Sequence, residues 1–258
     1  MECARLLIEA GAGGLFSCST NESGDEETPM WAILNHAASY DDSDSTQFVK
    51  CALEACDIGD DEGGVTDLID WAGRRNTKLP RLLVDAGANM TRKHKDGRTA
   101  LHMAAGLLEL YWYGDEDDIR DSDQHAELVG WLVSKGAMVD ARDNNGNTPM
   151  HVAASLGLSK VVAVLLDLGA DPLLQRTSGD NSLHIAAHAG STTLMARFID
   201  LGIDMNAKGD DGNTALHLAS QKGDPSCVRM LLDEVADLNR TNGFGWTPLR
   251  LAAAYERT

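Results

Sequence analysis

The sequence predicts an all-α repeat solenoid, made of stacked helix-loop-helix units that carry short β-hairpin fingers. Three observations predict it. Short motifs return at a fixed step: TALH ends at His102, TPMH at His151, NSLH at His184, TALH at His217 and TPLR at Arg250, at intervals of 49, 33, 33 and 33 residues. A second marker keeps the same intervals: Gly87-Ala88, Gly136-Ala137 and Gly169-Ala170 close apolar segments, Gly202-Ile203 varies the pair, and Val235-Ala236 loses the glycine. Alanine and glycine are plentiful while only 5% of residues are aromatic, which suits small helices in close contact. A fixed period of this size marks arrays whose units bury their apolar faces only against neighbours.

Each unit reads as helix, loop, helix and extended arm. In DNNGNTPMHVAASLG, Asn145-Gly146 is a turn signal. Thr148 is placed as a helix N-cap, with Pro149 at the first helical position, where no backbone donor is needed. Met150, Val152, Ala153 and Ala154 make a short apolar helix that Gly157 ends. SKVVAVLLDLGA then forms a second helix with Leu165 and Leu166 at its core and Gly169 as its left-handed stop, and ADPLLQR extends toward the next turn.

A 33-residue unit with [ST]PLHxAA, a following glycine, a Leu-Leu pair and Gly-Ala-Asp resembles the ankyrin repeat. The motif recurs well in four units and weakly in others, and the resemblance covers nearly the whole chain. Trp31, Ile69 and Arg250 replace the motif histidine, and Trp71 stands where a small alanine is expected. The register divides one domain, 1–258, into a half-unit 1–12, degenerate units 27–62 and 63–93, a unit 94–142 with an insertion at 107–122, units 143–175, 176–208 and 209–241, and a half-unit 242–258. Half-units at both ends leave two alternatives open: a piece of a longer array, or end units that act as caps.

The insertion begins LLELYWY and continues DEDDIRDSD. Leu101, Ala105, Leu108 and Trp112 fall on one helical stripe, so the first helix is expected to run on to about Tyr113 and stop at Gly114. The acidic run is then a solvated linker, with Ser122 or Asp123 capping the second helix. Tyr111 and Tyr113 point away from the stripe and form a secondary candidate docking point.

Composition excludes several classes. The 258 residues are 43% hydrophobic and can bury a sizeable core. A formal net charge of −18 repels phosphate backbones and anionic membranes, so nucleic acid is not an expected partner. Five cysteines, Cys3, Cys18, Cys51, Cys56 and Cys227, form no CxxC pair and read as reduced thiols of an intracellular protein, cytoplasmic or nuclear. No apolar run reaches bilayer-spanning length, and MECARLLIEAGAGG lacks the basic start of a signal peptide.

Chemistry is not found. His102, His151, His184 and His217 take the same place in successive units. Adjacent helices stand roughly 8–10 Å apart, too far for two such rings to share one zinc with bonds near 2 Å. The resemblance implies that they bond backbone and caps. The run 115–123 lacks the glycine and the terminal glutamate of a calcium loop, with Arg120 and Ala126 in those places. No phosphate-binding loop, nucleophile elbow or zinc-protease motif occurs. The chain is therefore read as no enzyme, with no cofactor and no metal.

Charge is unevenly placed. Arg74, Arg75, Lys78, Arg81, Arg92, Lys93, Lys95 and Arg98 face only Asp85 and Asp96, a local excess of six positive charges on an acidic chain. This is either a docking point for an acidic segment or an offset to acidic neighbours at 57–62. Framework positions are fixed by packing, while finger positions vary. The candidate contact set is Arg92, Lys93, His94, Lys95 and Arg98, then Asn144, Asn145 and Asn147, then Asp180, Asp211 and Asn213, and last Phe244 and Trp246. Leu156, His188, Gln221 and Lys222 add the exposed ends of the first helices. The function inferred is non-catalytic binding of a partner protein on the concave face of fingers and inner helices, by a chain read as a monomer. The alternative is a targeting or substrate-recruiting segment of a longer multidomain enzyme or ubiquitin-ligase adaptor. A third reading makes the array a substrate hydroxylated at Asn206 and Asn239.

Overall fold

A computed structural model describes residues 78–85, 90–91, 93–106 and 123–255. The half-unit 1–12, the unit 27–62, most of 63–93 and the insertion 107–122 lie outside the described residues, as do Arg92, Tyr111, Trp112 and Tyr113.

Among the described residues there are ten α-helices: α1 Lys78–Asp85, α2 Ala100–Gly106, α3 Asp123–Ser134, α4 Pro149–Ser155, α5 Ser159–Asp167, α6 Ser182–Ala189, α7 Thr192–Asp200, α8 Ala215–Lys222, α9 Pro225–Asp233 and α10 Pro248–Tyr255. The first helices α2, α4, α6, α8 and α10 pack each on the next. Each of α2, α4, α6 and α8 also packs against the second helix of its own unit. The fold is the helical solenoid that the period predicts.

The caps form as their sequences suggest. Thr148 accepts the His151 N–H, His151 Nδ1 accepts the Thr148 N–H, and Pro149 opens α4. The histidine thus does the work of the glutamate in a capping box. Asn181 and Thr214 repeat the arrangement with His184 and His217. Ser191 caps α7, and Asp224 caps α9 through the Ser226 and Cys227 N–H groups.

The core is a single apolar layer between the two rows. Leu101, Met150, Leu183 and Leu216 occupy one repeat position, and Leu132, Leu165, Phe198 and Leu231 another; all are buried. Each such side chain contributes about 1.5–3 kcal/mol on leaving water. Ala104, Ala153, Ala186 and Ala219 sit where neighbouring first helices meet, and a larger group would hold those helices apart. At the near end Trp131 of α3 lies between Arg81, at 5.9 Å, and Lys135, at 5.3 Å, and Lys135 also pairs with Asp85. Arg81, one of the basic group between Arg74 and Arg98, is thereby tied to the framework.

The second helices end in a left-handed residue, Gly136, Gly169 and Gly202 in three units and Val235 in the fourth, at φ 65°. A β-branched residue is strained there by roughly 1–2 kcal/mol. Val235 is 82% exposed, so its side chain returns little by burial. Val235→Gly is expected to stabilise the array by about 1 kcal/mol and to raise its thermal midpoint by a few degrees. An unchanged midpoint in a thermal melt contradicts the strain.

Candidate protein-binding surface

Five fingers, 94–98, 143–147, 176–180, 209–213 and 242–246, join the second helix of one unit to the first helix of the next. Each is closed by two backbone bonds. In the second finger the Asp143 N–H donates to the Asn147 carbonyl at 3.0 Å and the Gly146 N–H donates back to Asp143, also at 3.0 Å. Glycine with positive φ stands at the fourth place of all five, where the turn requires it. The hairpins are therefore very short, and Gln175 with Asn181 forms the one bridge among the described residues.

Neighbouring fingers are bonded to each other. The Asn144 N–H donates to the Asp96 carbonyl at 2.9 Å, Thr177 to Asn145 at 3.0 Å, and Gly243 to Asp211 at 2.6 Å. At the fourth finger the pattern changes, for the Asp210 N–H donates to the Asp180 carboxylate at 2.8 Å. Side chains add struts: Lys93 Nζ donates to the Arg142 carbonyl, Arg142 to Gln175 and Lys208 to Thr241. The Arg142 and Lys208 struts lie in register with Lys93 in the sequence, and that shared register was the signal for them. Inside the turns Asp143 accepts from the Asn145 and Asn147 N–H groups, and Asn242 from those of Phe244 and Trp246. The backbone is thus satisfied within the row, while Lys95, Asn144, Asn145, Thr177, Asp210, Asp211 and Phe244 stay exposed.

The structure places the other expected contact residues unevenly. Lys93 is exposed. His94 is half-buried against Asp96, and Arg98 lies 3.4 Å from Asp96 and 3.9 Å from Asp143. Three positions taken as variable finger residues are framework. Asp180 is only 3% exposed and holds Arg176, Ser178 and the Asp210 N–H. Asn147 bonds Asp143 through its amide and receives His102 on its carbonyl. Asn213 accepts the Asn242 amide. The short side chain of each reaches a partner one turn or one unit away; Asp180 is buried by it, and the two asparagines are half-buried.

On the first helices His188 and Lys222 are exposed, while Leu156 and Gln221 are half-buried. Lys222 Nζ donates to the Ala189 carbonyl at the end of α6, a favourable place for a cation. Phe244 is 68% exposed. Trp246 is half-buried, with the Arg250 guanidinium 4.6 Å from its ring centre, and its carbonyl receives His217. Asn206 accepts the Asp237 N–H of the next unit, whereas Asn239 is exposed.

The four histidines tie the caps of the first helices to the arms and fingers that follow. Nδ1 of His102, His151 and His217 accepts the N–H of its cap threonine. Nε2 then carries the proton, given to the carbonyl of Asn147 or Trp246 in the next unit or, from His151, to that of Leu174 in the arm of its own unit. Burial pushes the pKa of all four rings down, that of His151 to about 4. His184 Nδ1 likewise accepts the Asn181 N–H, at 3.3 Å, and its Nε2 lies 3.0 Å from the Ala207 carbonyl and 3.2 Å from that of Asn213. Burial of Cys227, helped by the Asp224 carboxylate, raises its thiol to about 11, so it is no nucleophile at neutral pH. Among the described residues no group of three histidine, cysteine, aspartate or glutamate side chains is placed to hold a metal, and no helix is long and apolar enough to cross a membrane.

Comparison with known proteins agrees with this geometry. The family described as "Ankyrin repeats (3 copies)" matches residues 122–176 and 183–258, more than half of the chain, and "Ankyrin repeat" matches 96–144. Similar proteins include the mouse nuclear factor NF-kappa-B p105 subunit, 38% identical over 96 residues, which are 36% of this chain and 8% of that protein. A putative ankyrin repeat protein FPV219 of fowlpox virus is 53% identical over 45 residues, 17% of this chain and 10% of that protein. An intracellular phospholipase A2 of Caenorhabditis elegans is 28% identical over 153 residues, 58% of this chain and 13% of that protein. The chain thus spans about a tenth of the length of these relatives. The family match and the capped, finger-linked units agree: the chain belongs to the ankyrin-repeat family, whose repeats generally mediate protein–protein interaction.

Proposed function

We propose that the chain is a non-catalytic scaffold that binds a partner protein along its finger tips and the adjoining ends of its first helices. One observation carries this reading: the finger backbones are bonded to each other while the tip side chains stay exposed. Such a row is ordered before binding, so a partner loses little entropy in fixing it. The contact set is Lys93, His94, Lys95, Arg98, Asn144, Asn145, Asp211, His188, Lys222 and Phe244, with Leu156, Gln221 and Trp246 at its edge and Arg92, the neighbour of Lys93 in the sequence. Residues 1–258 act as a single array and a monomer, in the cytoplasm or nucleus.

Lys93→Glu with Lys95→Glu is expected to weaken partner binding tenfold or more at low salt and to flatten its salt dependence, with helicity unchanged. Affinity capture with the wild-type and double-variant chains, read by quantitative mass spectrometry and circular dichroism, checks it. Equal recovery of every partner by the two chains at low salt overturns the reading.

A second reading, a recruiting segment of a longer enzyme, draws on the nematode relative whose name is that of a phospholipase. Full-length transcript sequencing separates the two, because only the second requires a catalytic domain on the same chain.

A further inference from the structure

We propose that the finger row reads charge order: it takes an extended partner segment whose side chains run acidic, small polar, basic and then aromatic or aliphatic. This rests on the finger-binding reading above.

The first finger presents Lys93 and Lys95, both exposed, with no carboxylate paired to either among the described residues. Its own Asp96 is taken up by His94 and Arg98. The second adds one exposed cation, Arg142, in register with Lys93, to the neutral Asn144 and Asn145, and the third is neutral, with Thr177 exposed. The fourth presents Asp210 and Asp211, exposed and without an ion pair among the described residues, against one cation, Lys208, in the register of Lys93. The fifth presents Phe244. The row therefore falls from positive, through a single cation and a neutral finger, to net negative, and ends on an aromatic ring.

Spacing keeps these signs apart. Successive units stand roughly 10 Å apart, so the charged fingers are separated by about three times that distance. This exceeds the screening length of about 8 Å at physiological salt, and the two ends cannot neutralise each other. An extended chain advances about 3.3 Å per residue, or about three residues per finger. A segment of the opposite order sets acid against acid and base against base, and that repulsion gives the row its selectivity. Phe244 fixes the polarity, for an exposed aromatic anchor gains most where a partner side chain covers it.

The test uses two synthetic, dye-labelled peptides of about 13 residues and equal composition. One carries glutamates, then serines, then lysines, then phenylalanine. In the other the glutamate and lysine blocks are exchanged. Fluorescence anisotropy with the full chain at low salt is expected to show the first bound about tenfold more tightly. A chain with Lys93→Glu, Lys95→Glu and Asp210→Lys, checked for fold by circular dichroism, is expected to reverse the preference. Equal affinities, no binding of either peptide, or a preference that does not reverse each overturn the charge order. If the peptides bind equally yet partner capture is lost from the Lys93→Glu, Lys95→Glu chain, charge order is wrong and the finger reading stands. If partner capture also survives that change, both are wrong.

Discussion

Lowering the pH from 7 to 5 is expected to remove about 2 kcal/mol of stability through His151 alone. Below pH 6.5 the unfolded chain takes up a proton on this ring. The folded chain resists it down to about pH 4, because burial disfavours the cation and Nδ1 is occupied in accepting the Thr148 N–H. The contribution is therefore complete above pH 6.5 and fades as pH falls toward 4. His102 and His217 have the same bonds and a pKa shifted in the same direction by burial, so they add to the loss. Asp96, Asp180 and Asp224 titrate below their usual carboxylate value, outside the window from 6.5 to 5. Asp140, raised by burial and by Asp171, works in the opposite direction, and a variant is needed to isolate the histidine. His151→Gln should be less stable than wild type at pH 7, and the gap should close by about 2 kcal/mol at pH 5. Urea unfolding of both chains at pH 7, 6 and 5 measures it; a gap that stays constant across that range sinks the explanation.

Those histidines show what a sequence can reveal. The Thr-Pro-Met-His stretch encodes its own cap, because the atoms that bond are three residues apart. The left-handed glycines, the apolar stripes and the unit boundaries from 94 onward are local in the same way. The solenoid was legible for that reason. The surface was less so, since exposure at a finger depends on the next finger, about thirty residues further on. Lys93 was rightly placed at the surface, but its reach to the Arg142 carbonyl was not foreseen. Asp180 was misplaced altogether. Polar and next to a glycine, it has the look of a solvent-facing turn residue, and the reason for its burial lies in another unit.

That reason is Gly209, and Gly209→Ala is expected to cost about 2–3 kcal/mol. The first finger residue is His94, Asp143, Arg176 or Asn242 elsewhere, and glycine only here. A Cβ on Gly209 would lie 2.0 Å from Asp180 Oδ1 and 3.0 Å from the His184 ring. The missing side chain is thus the space into which the Asp180 carboxylate passes to accept the Asp210 N–H. Burial works against the charge there, yet the Asp210 N–H and the Arg176 guanidinium outweigh it and hold the carboxyl below its usual pKa. Alanine at 209 must push this buried carboxylate off its donors, which leaves Arg176 and the Asp210 N–H without a partner. Asp180→Ala loses the same bonds by another route. If the two sites act as one device, the second change should add little after the first, with a coupling of about 1–2 kcal/mol in the double variant. Urea unfolding of the two single variants and the double variant decides the matter. Additive losses would mean that Gly209 serves its own turn alone and that Asp180 is held by Arg176 without it.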